Sequence, residues 1–147
     1  MLINNKSHEP FFNLLLIDDI FCQELGRVLL LSGKLESILS QYLEKNKIKL
    51  FKNKATLGNL INELDKNGLL SSNLKAILSM MKTQRNYLSH SIYDLLTYQI
   101  DETILEREVI IDSDVMTYTE RVLNLKENLL GIIEIIEELN IKMVQAE

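Results

Sequence analysis

From residue 14 onward, apolar side chains return every three or four positions: Leu14, Ile17, Phe21, Leu25, Val28, Leu31, Leu35, Ile38 and Tyr42. That spacing follows the α-helical turn and predicts one amphipathic helix of about thirty residues. Pro10 suits its first turn, where a missing N–H costs nothing. Gly26 and Gly33 weaken the helix by about 1 kcal/mol each relative to alanine and are read as points of close packing against a neighbour. The lysine-rich stretch from Lys45 to Lys54 follows as a frayed helix end and loop. Thr56 is placed to cap a short second helix carrying Leu57, Leu60, Ile61 and Leu64, and Gly68 to end it. Ser71 or Ser72 opens a third helix with Leu74, Ile77, Leu78, Met81, Leu88, Ile92 and Leu95, ending near Tyr98. Residues 101–111 read as a loop or a short extended piece. Ser113 then caps a fourth helix, with Val115, Val122, Leu125, Leu129, Ile132, Ile136 and Leu139 in register.

One proline and five glycines in 147 residues leave few places for the chain to break, which favours long helices over strands. No repeat, low-complexity tract or linker divides it. The pattern predicts a single all-α domain over residues 1–147. Its expected form is a four-helix up-down bundle, with two long antiparallel helices and a short second helix.

Composition narrows the function classes. Apolar residues make up 46% of the chain and charged residues 25%, the balance of an ordinary globular domain with its own core. A net charge of −5 speaks against coating nucleic acid non-specifically. Charge is uneven, however: Lys45, Lys47, Lys49, Lys52 and Lys54 form a local basic run, and Glu134, Glu137 and Glu138 weight the other end with acid. The lone cysteine, Cys22, allows no internal disulfide and reads as a small core residue. The apolar run Phe11–Ile17 lacks the basic leader and cleavage site of a signal peptide, and no stretch is long enough to span a membrane. The expectation is a cytoplasmic protein.

One position breaks the pattern in a way that chemistry can use. The stripe of the third helix runs through 74, 78, 81, 88, 92 and 95, and Arg85 stands in it. A guanidinium on a core-facing stripe must find a partner, snorkel, or line a wet cleft. Asn86 and His90 are four residues apart and share a helix face. Asp94, one turn further, is placed to orient the imidazole. Arg85 and His90, five apart, lie about 140° from each other around the helix and cannot form one site alone.

Arginine, a polar residue, three further residues and histidine resembles the signature of HEPN ribonucleases, matched here by Arg85, Asn86 and His90. The segment Thr56-Leu57-Gly58-Asn59-Leu60-Ile61 resembles the second helix of several HEPN groups, so the likeness extends over roughly residues 14 to 140. It implies a homodimer in which the arginine and histidine of two protomers meet as a composite active site. It also implies metal-independent RNA cleavage by the 2′-hydroxyl to a 2′,3′-cyclic phosphate, without a cofactor, in a toxin or antiviral-defence effector that can have an antitoxin partner. An imidazole, with an unperturbed pKa of about 6.5, suits the acid–base steps, and a guanidinium fork suits phosphate oxygens. The chain has two histidines, and His8 is far off in sequence. One chain thus supplies one such imidazole and a two-fold dimer supplies two. The chain departs from HEPN toxins paired with nucleotidyltransferase antitoxins: position 92 is Ile92 where they often have tyrosine, and the tyrosine is Tyr93. The resemblance therefore does not carry over control by tyrosine modification, leaves modification of Tyr93 open, and leaves the nuclease reading untouched.

Plainer readings stand beside these. Arg85 can be a structural ion pair with a helix-one carboxylate such as Glu36. The lysine run can be a solvated loop rather than an RNA contact. Tyr87, Tyr93 and Tyr98 can pack rather than stack on bases. No metal-ligand spacing and no phosphate-binding glycine loop appear. The alternative to an enzyme is a non-catalytic HEPN-like module that binds nucleotides or proteins, as an antitoxin partner or a regulator related to the mannitol-repressor type.

Overall fold

The computed structural model describes residues 12–49, 56–90 and 112–146, with side chains placed except at 87–90, 112–114 and 143–146. All regular structure among them is helical: a short α1 over residues 12–17, then α2 (Asp19–Lys45), α3 (Leu57–Lys66), α4 (Ser72–His90) and α5 (Asp112–Ala146). The two long helices have 27 and 35 residues and the short one 10, in the predicted order. None is long and apolar enough to cross a membrane.

The first predicted helix is divided. Asp18 leaves helical geometry and its carboxylate accepts the Phe21 N–H at 2.7 Å, capping a new helix. Aspartate offers the backbone this alternative to an uninterrupted helix, and Asp19 adds negative charge at the favourable end. The break re-phases what precedes it, so Leu15 is buried and Ile17 is 73% exposed, against the expected stripe. Cys22 is likewise exposed rather than in the core, about 100° round the helix from buried Phe21. Its thiol points at the Leu15 and Leu16 carbonyls.

The ends of α2 and α3 share one design. Lys47 N–H bonds Glu44 O and Ile48 N–H bonds Leu43 O, while Gly68 N–H bonds Asp65 O and Leu69 N–H bonds Leu64 O. Both are Schellman turns, with the left-handed residue at φ 61° and 69°. Asn46 and Asn67 precede them and bond back to Tyr42 O and Glu63 O, each at 2.7 Å. Glycine carries the second turn, as expected; the first uses Lys47. Thr56 caps α3 through Asn59 N–H and Ser71 caps α4 through Leu74 N–H. Ser113 lies inside α5, which is already helical at Asp112.

The core is built from Phe21, Val28, Leu35, Leu39 and Leu43 of α2, Leu57, Leu60 and Leu64 of α3, Leu78 and Met81 of α4, and Tyr118, Val122, Leu125, Leu129 and Ile136 of α5. Gly26 and Gly33 do not mark close packing: a Cβ at either would meet nothing within 4 Å. The long helices are not antiparallel. Glu24 reaches Lys126, Lys34 reaches Glu137, and Asn140 Nδ2 donates to Ile38 O. Each partner lies 102 or 103 positions further along, and a constant offset means that the helices run parallel. The directions of these helices therefore do not follow the four-helix up-down order, which sets the first and last antiparallel. Periodicity fixes which face a helix buries but not its direction; the cross-helix partners fix that. By contrast, α3 and α4 form an antiparallel pair, with Lys75 on Asp65 at 2.7 Å and Gly58 under the Lys82 side chain.

Candidate functional site

Arg85 follows Leu78 and Met81 on the buried stripe of α4 and emerges at the seam between α4 and α2. Its side chain is 23% exposed, so it is neither sealed in the core nor free on the surface. Nη2 stands 3.5 Å from Glu36 Oε1 on α2, and Nη1 donates to Asn86 Oδ1 at 3.1 Å. The chain thus brings Arg85 and Asn86 together and adds Glu36, the carboxylate expected as its structural partner. A guanidinium fork has the planar geometry that suits carboxylate and phosphate oxygens.

His90 is the last described residue of α4, about 7.5 Å along the helix axis from Arg85; its side chain lies outside the described set. Asp94, Tyr93, Tyr98, Lys52 and Lys54 lie outside the described residues. Of the remaining lysines, Lys45 is fastened to the bundle, its Nζ donating to Asn140 O at 3.3 Å on α5. Lys47 and Lys49 are exposed.

A second charged cluster was not anticipated. Glu24 is 8% exposed, deep between α2 and α5. Its Oε2 is 2.8 Å from Lys126 Nζ, and Oε1 accepts from Arg27 Nη1. The Lys126 hydrogen bond holds the Glu24 carboxyl below the usual carboxylate range; burial opposes this, and the Arg27 charge adds to it. The signal was present in the sequence, since Glu24 stands three residues after Phe21 and four before Val28 on the buried stripe. The test that singles out Arg85 singles out Glu24 equally. Nearby, burial and then the charges of Asp18 and Asp19 raise the Cys22 thiol pKa, which works against thiolate chemistry at neutral pH.

Among the described residues, two cavities open elsewhere. One of about 290 Å³ lies among Leu14, Ile17, Asp18, Val115 and Met116, and one of about 300 Å³ among Ser40, Leu43, Glu44, Ile48 and Lys49. Neither includes Arg85. Among the described residues no three His, Cys, Asp or Glu side chains gather in a metal-binding group. No protein-family model, curated protein or solved structure matches the chain.

Proposed function

We propose that this protein is a HEPN-type endoribonuclease, a toxin or defence effector that cleaves RNA without a metal. The observation that carries the reading is Arg85: a guanidinium on a core-facing stripe that surfaces at a helix seam, bonded to the adjacent Asn86 and followed on the same helix by His90. In the proposed reaction His90 takes the proton of a ribose 2′-hydroxyl. The resulting oxygen attacks the adjacent phosphorus, Arg85 neutralises the charge that grows on the phosphorane oxygens, and the imidazolium of the second His90 protonates the departing 5′-oxygen. The products are a 2′,3′-cyclic phosphate and a 5′-hydroxyl. Since Arg85 and position 90 lie on different sides of α4, the complete site needs the second protomer.

The test is digestion of RNA in EDTA by the wild type, Arg85→Ala and His90→Ala. Cleavage should fall by about a hundredfold or more in each variant. Undiminished cleavage in both would sink the reading. The Arg85–Glu36 ion pair favours a second reading, a non-catalytic nucleotide- or protein-binding module in which Arg85 holds the fold or a ligand. A folded dimer without ribonuclease activity but with saturable nucleotide binding would select it.

A further inference from the structure

We infer that the outer face of the α2–α5 pair is a self-association surface, taken by a second copy of this chain about a two-fold axis running along the helices. The face is apolar where a solvated face would not be. Leu30 is 77% exposed on α2 and Leu130 44% on α5. Toward the start of both helices, Ile20 and Met116 are also more than half exposed.

The charges around the two leucines name the occupant. On α2 the row is Arg27, Leu30, Lys34; on α5 it is Glu127, Leu130, Glu134. The spacing is the same, with basic residues on one helix and acidic residues on the other. Among the described residues Arg27 and Lys34 have one in-chain carboxylate each, Glu24 and Glu137, and both remain more than half exposed. Glu127 and Glu134 are exposed and form no ion pair among the described residues.

A two-fold axis along the helices preserves their direction and exchanges α2 with α5 across the interface. Because these helices are parallel within one chain, α2 of each copy then runs parallel to α5 of the other. Arg27 comes level with position 129 or 130 of the partner, so the partner's Glu127 is two or three residues away, about 3 to 5 Å along the axis. The same shift applies to Leu30 with the partner's Leu130 and to Lys34 with the partner's Glu134. Long cationic side chains span that distance. One rotation therefore satisfies all three pairs twice over, as an isologous interface requires. An antiparallel two-fold arrangement would instead set α5 against α5, with acid facing acid. This surface is separate from the Arg85 seam and does not rest on the ribonuclease reading.

The test is sedimentation equilibrium of the full chain. Leu30→Glu should lower the assembly by one two-fold step, and Glu127→Lys with Glu134→Lys should weaken association about tenfold or more. Lys34→Glu should weaken it too, and Lys34→Glu with Glu134→Lys should restore part of the loss. High salt should weaken the wild type, and His90→Ala should associate as the wild type does. Circular-dichroism melts keep folding separate, and the exposed Glu127 and Glu134 provide a readout even if Leu30→Glu unfolds. The inference is overturned if Leu30→Glu and the Glu127→Lys, Glu134→Lys double variant both match the wild type in mass at every concentration. It is also overturned if the wild type is monomeric, as when another part of its own chain covers the face.

Discussion

Helix α2 meets α5 on one side and α4 on the other, and a charged pair marks each seam. At the α5 seam Glu24 is almost fully buried, with Lys126 and Arg27 around it. At the α4 seam Glu36 and Arg85 are each about a quarter exposed and 3.5 Å apart. The first carboxylate is enclosed by its partners, so its ionisation is tied to folding. The second is part-exposed, and so is its arginine. A charge on a buried stripe is thus not one kind of signal. Enclosure ties a charge to the fold, whereas partial exposure at a seam leaves it within reach of solvent.

The comparison breaks most visibly at Arg85. Arg85→Ala should remove RNA cleavage about a hundredfold or more while shifting the unfolding midpoint little, because Glu36 then faces water rather than a sealed interior. A large loss of stability with residual cleavage intact would reverse the assignment of the two seams. On the other side, Leu129 is fully buried on α5. Leu129→Ala should cost about 2 to 5 kcal/mol in denaturant unfolding and leave cleavage per folded molecule unchanged.

Glu24 gives a pH test. Its pKa is lowered in the folded state, so the folded chain favours the carboxylate more than the unfolded chain does. That contribution is fully present above the ordinary carboxylate pKa and is lost as pH falls through the lowered one. Glu24→Gln should therefore be less stable than the wild type at neutral pH, and the gap should close on acidification. Melts from neutral to acidic pH check this, and a gap independent of pH would show that the carboxylate charge is not the stabilising element.

The sequence made some of this legible and some not. Stripes at helical spacing located the helices and most of the core, because a 3.6-residue period is a local property. Thr56, Gly68 and Ser71 were legible for the same reason: caps act within one turn. The break at Asp18 was missed because a capping aspartate and a charged surface residue look alike until the Phe21 N–H is seen to turn to it. The parallel course of α2 and α5 was missed because direction is set by pairs a hundred residues apart. Arg85 was legible as an oddity, and Glu36 as one possible partner for it. Glu24 was overlooked although it meets the same criterion. Exposure, which separates the two residues, is a tertiary property.

The end of α2 lies beyond both seams and calibrates their effects. Lys47 holds φ 61°, a conformation that costs an ordinary residue about 1 to 2 kcal/mol, in the same turn that Gly68 makes without that cost. Lys47→Gly should stabilise the fold by about 0.5 to 1 kcal/mol, after allowing for the freedom glycine loses on folding. Cleavage should not change. Loss of stability would mean that the Lys47 side chain makes a contact worth more than the strain.

The smallest change in stability is expected from Glu36→Gln, which separates the two seams most cleanly. A part-exposed pair at 3.5 Å contributes less than about 1 kcal/mol, and glutamine keeps an acceptor for Arg85. Unfolding should barely respond, in contrast to Glu24→Gln. Under the proposed ribonuclease reading substrate binding should respond, because the Glu36 carboxylate would compete with an RNA phosphate for the same guanidinium. Neutralising it should lower KM severalfold while kcat stays near the wild-type value, since Asn86 still holds the fork. If Glu36→Gln instead destabilises the fold as Glu24→Gln does, with no change in KM, the α4 seam is structural like the α5 seam. Arg85 then belongs to a binding module rather than to an enzyme.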